Sequence, residues 1–207
     1  MILTHGANSL ARGDFVEIGG RKYPVVRIGN QLWMAENLDW KFSGCVIGSS
    51  GTSDTEARGN YYNDDETTYG INGNKYGLLY NWIAVNYIEQ NKSTILPSDW
   101  RVPTYSDFEN LAIAVGGAST AGTKLKSTTG WSGGNGDGST KFNATPSGSK
   151  YYGNFRDVGF FGVLWTITEV DSSRAYDAYF TNDTQSMRFY SPECYQQYNI
   201  RLVKDAT

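Results

Sequence analysis

WTITEVDSSRAYDAYFTNDTQSMRFYSPECYQQYNIRLVKD, residues 165–205, decides what kind of fold this chain can adopt. Its apolar residues fall in short runs, WTITEV, AYDAYF, MRFY and NIRLV, separated by Asp, Ser, Asn, Thr and Pro, the residues of turns. Such runs are too short for helices and read as strands of an antiparallel sheet. In AYDAYF, side-chain alternation puts Ala175, Asp177 and Tyr179 on one face and Tyr176, Ala178 and Phe180 on the other. The second face is the more apolar and is the one expected in the core. Between Tyr176 and Tyr198 stand more Tyr, Asp, Thr, Ser, Asn and Gln than a plain half-buried strand requires, and that excess is the main clue to function.

Upstream, the pattern changes. In RVPTYSDFENLAIAVGG (101–117), Pro103 precedes a start, Thr104 can cap with Asp107 three residues on, and Phe108, Leu111, Ala112 and Val115 share one helical face. Gly116-Gly117 end it. KYGLLYNWIAVNYIEQ (75–90) places Leu78, Leu79, Trp82, Ile83 and Val85 at near-helical spacing and reads as a second helix. VEIGGRKYPVVRI (16–28) reads as a hairpin turning at Gly19-Gly20. Residues 43–75, rich in Gly, Ser, Thr, Asn and Asp, read as a long surface excursion, and residues beyond 116 as short strands and loops. Two helices followed by an antiparallel sheet give an α+β domain.

At 207 residues the chain is one large domain rather than two very small ones. With 15 Tyr, 9 Phe and 6 Trp against 19% charged residues, its packing relies on aromatics, which argues against a helical bundle. A net charge of -3 without a Lys/Arg cluster leaves no footprint for nucleic acid or an anionic membrane. Residues 1–14 read as an N-terminal leader with neither the charge nor the apolar run of a secretion signal, and no stretch is long enough to span a bilayer. The expected location is therefore a virion or cell exterior reached by another route, or otherwise the cytoplasm.

VRIGNQLWMAENLDW, YGLLYNW, LPSDWRVPTYSDFENLA, LKSTTGW, FNATPSGSKYYGNFRDVGFFGVLWTITE and NIRLVKD, in that order, resemble the Fibrobacter succinogenes major paralogous domain. The resemblance implies a C-type-lectin-like fold related to formylglycine-generating enzymes, with two helices, an antiparallel sheet, long loops and paired N- and C-terminal strands. Residues 28–33 would then lie near residues 200–203, within a single domain over 15–207. It also implies a scaffold of the kind that diversity-generating retroelements use, with a variable ligand-binding segment over 166–199 between Trp165 and the closing strand. The N-terminal LTHGANSLARG resembles the leader of phage-encoded members.

Tyr and Trp offer large contact area at low entropic cost, and Ser, Thr, Asn and Asp offer adaptable hydrogen bonds, the composition of a binding surface. The candidate ligand-binding residues are Asp177, Tyr179, Thr181, Asp183, Phe189, Tyr190 and Tyr195 with Trp165, expected to face a protein or glycan on a cell surface, with no catalytic residue, cofactor or metal. Trp33, Trp82, Trp100 and Trp131 read as core. His5, the only histidine, lies in the leader, which argues against a triad or zinc site. Asn63, Asp64, Asp65 and Glu66 cluster oxygens without EF-hand spacing and read as solvated loop rather than a calcium site. GGNGDGS (133–139) reads as a flexible turn. Cys45 and Cys194 stand too far apart for a motif, although one long-range disulfide stays open. Two alternatives remain: an adhesive or structural surface protein, or an oxidase like formylglycine-generating enzymes, for which neither cysteine lies in a matching motif.

Overall fold

Gly19 and Gly20 both have positive φ, 58° and 81°, the two-residue turn whose twist suits paired strands. They join β1 (Phe15–Ile18) to β2 (Arg21–Ile28), and a turn at Gly29 leads to β3 (Gln31–Met34). The last strand, β13 (Val203–Asp205), closes this sheet against β3 with Val203 opposite Trp33, giving the order β1-β2-β3-β13. Strands from opposite ends of the chain are thus neighbours, as the resemblance implied. The fold is that of a computed structural model, which describes residues 14–48, 51–53, 55–70, 73 and 75–206.

A six-stranded sheet runs β4 (Val46–Ile47), β5 (Arg58–Asn60), β6 (Leu79–Asn81), β12 (Gln197–Tyr198), β7 (Ser149–Tyr151) and β8 (Asn154–Arg156). A three-stranded antiparallel sheet holds β9 (Phe161–Asp171), β10 (Arg174–Thr181) and β11 (Met187–Tyr190). The helices are α1 (Glu66–Tyr69), α2 (Trp82–Gln90), α3 (Lys92–Ile95), α4 (Tyr105–Ala114) and α5 (Ala118–Leu125). The architecture is mixed α+β, mostly sheet.

Two apolar clusters fill it. Tyr23, Leu38, Tyr80, Val85, Ile88, Trp165, Ile200 and Leu202 belong to the first. Trp33, Phe108, Leu111, Phe142, Ala178, Phe180 and Val203 belong to the second. Because side chains alternate along a strand, β9 sends Val163 and Trp165 to the first cluster and Leu164 to the second, and β10 divides likewise between Ala175 and the pair Ala178 and Phe180.

Three expectations need correction. Leu78 and Leu79 do not open a helix; β6 precedes α2, and Asn81 marks the boundary by accepting the Ala84 N–H. Residues 118–125, expected as strand or loop, form α5. Within the 43–75 excursion, Gly59, Asn60, Tyr61 and Tyr62 are buried and β5 pairs with β6, so part of that stretch is core. The capping box at Thr104 and Asp107 forms as expected, and Trp33, Trp82, Trp100 and Trp131 are all buried.

Candidate ligand-binding cavity

β10 gives the site its floor. Register sets Asp177 opposite Tyr190 on β11 and opposite Trp165 on β9, where a pairing irregularity between Ala175 and Asp177 alters the local twist. Asp177 and Tyr179, two residues apart on one face, line a cavity of about 360 Å³. The hairpin of β7 and β8 supplies Ser149, Tyr151 and Arg156, followed by Asp157; β9 supplies Phe161 and Val163, and β11 and β12 supply Tyr190 and Tyr198. Tyr198 packs against Trp165 with ring centroids 4.8 Å apart and planes tilted by 58°, so its ring is backed by the core.

The Asp177 carboxyl is 3% exposed and receives the Tyr190 N–H at Oδ1, 3.1 Å away. Burial pushes its pKa up to about 7, with the Tyr190 hydrogen bond opposing the shift. Burial, and secondarily the Asp177 charge, raises the pKa of Tyr198. At the rim Tyr190 is 68% exposed, and the Arg156 guanidinium lies 5.5 Å from the Tyr151 ring centroid. The cavity therefore offers phenol faces around a buried acid.

The candidate residues do not form one exposed surface. Trp165 is fully buried and donates its indole N–H to the Tyr80 carbonyl at 2.8 Å, which corrects the expectation that it faces ligand. Asp177 and Thr181 are buried as well. The expectation of a covered and an open face on β10 fails because the first apolar cluster and the cavity walls cover the side that was expected to be open. Phe189 is half-buried and packs tilted against Tyr105, ring centroids 4.3 Å apart, next to the second cluster. Asp183 is exposed and accepts the Thr181 hydroxyl. Tyr195 is half-buried against Tyr152, ring centroids 5.3 Å apart. Tyr179 and Tyr190 therefore join Asp177 at the cavity, while Asp183 stands apart from its lining. Tyr151, Arg156 and Tyr198 are lining residues that the reading of the sequence missed. Pairing of β7 with β12, distant in sequence, brings Tyr151 and Tyr198 together, and β8 carries Arg156 there through its pairing with β7.

The other candidates have structural partners. Asp65 caps Thr68, Asp64 accepts from Asn60, and Glu66 pairs with Lys41 at 2.6 Å. Asp137 and Asn135 hold the 133–139 turn through the Ser139 and Trp131 N–H groups. His5 and the leader lie outside the described residues apart from Asp14. Cys45 and Cys194 are present as thiols, the first half-buried and the second buried, and burial pushes the Cys45 pKa up to about 12. Among the described residues no three His, Cys, Asp or Glu side chains gather to hold a metal, and no helix is long and apolar enough to cross a membrane.

Fold and site together define a mixed α+β domain with an aromatic-walled cavity beside its closing strands. The chain belongs to the Fibrobacter succinogenes major domain family, whose pattern it matches over residues 26–204. No curated protein and no solved structure matches it.

Proposed function

We propose that this protein is a non-catalytic binding module that presents a Tyr-rich cavity and its rim to a protein or glycan on a cell surface. The observation that carries the reading is the cavity itself: Tyr151, Tyr179, Tyr190 and Tyr198 surround one concave space of about 360 Å³, the shape and lining of a ligand site. Phenol rings supply contact area at low entropic cost and hydroxyls that can adapt to polar partners. The Cys45 thiol, held protonated by burial, supports a non-catalytic reading over an oxidase that works through cysteine thiolates. The scaffold is a C-type-lectin-like one, a reading supported by the paired β3 and β13 and the helices packed beside the sheets. The segment 166–199 is the part open to diversification, as in retroelement-encoded variable proteins displayed on a virion or cell exterior.

A combined Tyr179→Ser, Asp183→Ser, Tyr190→Ser and Tyr195→Ser variant tests this. The changes at the exposed Asp183 and Tyr190 should each cost no more than about 0.5 kcal/mol of stability, and those at the half-buried Tyr179 and Tyr195 somewhat more. Binding to whole bacterial cells and to a glycan array should fall at least about tenfold, the loss expected when central interface tyrosines are removed. A variant that keeps its melting temperature and binds as tightly as the native chain would overturn the proposal.

A further inference from the structure

A carboxyl group that is 3% exposed is costly unless something offsets it. Asp177 receives one hydrogen bond, from the Tyr190 N–H to Oδ1, and among the described residues no cation and no second donor meets the group. It lines the same cavity as four phenol rings. A buried acceptor on the floor with π faces on the walls is an arrangement that recognises cations. Two carboxylates, Asp177 and Asp157, line the cavity against one guanidinium, Arg156. That guanidinium already lies over Tyr151 at the rim, so the site seats a cation on an aromatic face within its own structure.

The floor also distinguishes among cations. Asp177 offers an acceptor that a cation can meet only if it carries an N–H donor, which a quaternary ammonium lacks, and Phe161 and Val163 in the same cavity offer surface to an alkyl chain. A neutral sugar could stack on the tyrosines and donate a hydroxyl to Asp177, but it brings no positive charge to offset the ionised form that burial disfavours. From this arrangement we infer that the cavity binds a primary alkylammonium group, such as an amine or a lysine side chain, its nitrogen donating to Asp177 and its methylenes lying between the tyrosines. The inference rests on the binding role proposed above and adds the chemical class of the ligand.

The test is a titration of the full, ¹⁵N-labelled chain, followed by amide shifts in β10 and β11. The probes are N-acetyl-lysine methylamide, its trimethylated form, the neutral N-acetyl-norleucine methylamide and simple methyl glycosides. The lysine probe should bind saturably and about tenfold or more tighter than the norleucine probe. Asp177→Asn, nearly identical in shape, should lose a similar factor while unfolding at an unchanged or higher temperature. Tyr190→Ala should lose several-fold and serves as the second variant if Asp177→Asn fails to fold. Equal binding of the norleucine probe, tighter binding of the trimethylated probe or a glycoside, or no saturable shift up to about 50 mM would overturn the inference. Cell binding is measured on the same preparations. Retained cell binding that depends on Tyr179, Asp183, Tyr190 and Tyr195, without ammonium recognition, removes this inference alone; cell binding indifferent to those residues removes the proposed function.

Discussion

Asp177 is an ionisable side chain that folding takes out of water while supplying only one N–H, so its protonation is coupled to folding. A carboxyl titrating near 4 in the unfolded chain and near 7 in the folded one binds a proton more tightly when folded. Its contribution to stability is therefore full below pH 4 and is lost as pH rises toward 7, at roughly 1.4 kcal/mol per pH unit within that window. Acids with lowered values, Asp107 among them, pull the other way, so the informative quantity is a difference. Asp177→Asn should be more stable than the native chain at pH 8, and the gap should narrow by pH 4.5, as read from thermal unfolding at both pH values. A gap that does not vary with pH would show that Asp177 titrates normally. How much of this site was legible follows from the same residue. Alternation along AYDAYF correctly paired Asp177 with Tyr179 on one face, because a period of two is a local property. That the face is roofed by Tyr151, Arg156 and Tyr198 was not legible, since those residues arrive through sheet pairings across tens of intervening positions.

Elements were readable where their signals are local and hidden where they are tertiary. α4 was legible because Thr104 and Asp107 satisfy each other's backbone donors within one turn. Thr104→Ala should therefore cost about 1 kcal/mol, and Asp107→Ala more, because Asp107 also takes Arg101 and the Gln31 amide. Chemical denaturation of both variants ranks them; equal costs would show that the Arg101 and Gln31 contacts contribute nothing. α5 was hidden because the buried face of ASTAGTKL is made of small residues, Ala121 and Gly122, with Leu125 as the one large apolar side chain, and because the stretch follows two glycines. Its stability comes from packing: a Cβ at Gly122 would stand 2.7 Å from the Ser186 carbonyl oxygen and 2.8 Å from that of Gln185. By propensity alone Gly122→Ala should stabilise the helix by about 1 kcal/mol. The close approach of the 185–186 backbone reverses the sign, and the expected outcome is a net loss of about 1–3 kcal/mol in denaturant unfolding. A gain would show that the loop before β11 yields freely.

At the scale of the whole molecule, residues 199–205 join what the rest of the chain builds separately. Asn199 pairs with Val163 and Trp165 on β9 through its backbone, and its side-chain amide donates to the Tyr76 and Leu78 carbonyls. Arg201 is fully buried, and among the described residues no carboxylate is hydrogen-bonded to it; its guanidinium donates to Asn37 Oδ1 and to the carbonyls of Met34, Phe142 and Asn143. Ile200 and Leu202 enter the first apolar cluster and Val203 the second, while Val203 also exchanges backbone hydrogen bonds with Arg101. The closing motif NIRLV thus alternates between apolar anchors and buried polar clamps, which explains Asn and Arg in a segment, between β12 and β13, that an apolar reading alone would not place inside. Arg201→Ala should cost about 3 kcal/mol or more, since it opens a cavity and strands four acceptors at once. Deleting residues 200–207 should do more: β3 loses β13, both clusters are opened, and the backbone N–H groups of the buried Met34 and Leu38 lose the Leu202 and Ile200 carbonyls, while Arg101 loses both of its bonds to Val203. The truncated chain should show no cooperative thermal transition and no dispersed amide spectrum. A soluble truncation that unfolds at the native temperature would mean that the two clusters are stable without their shared closing segment.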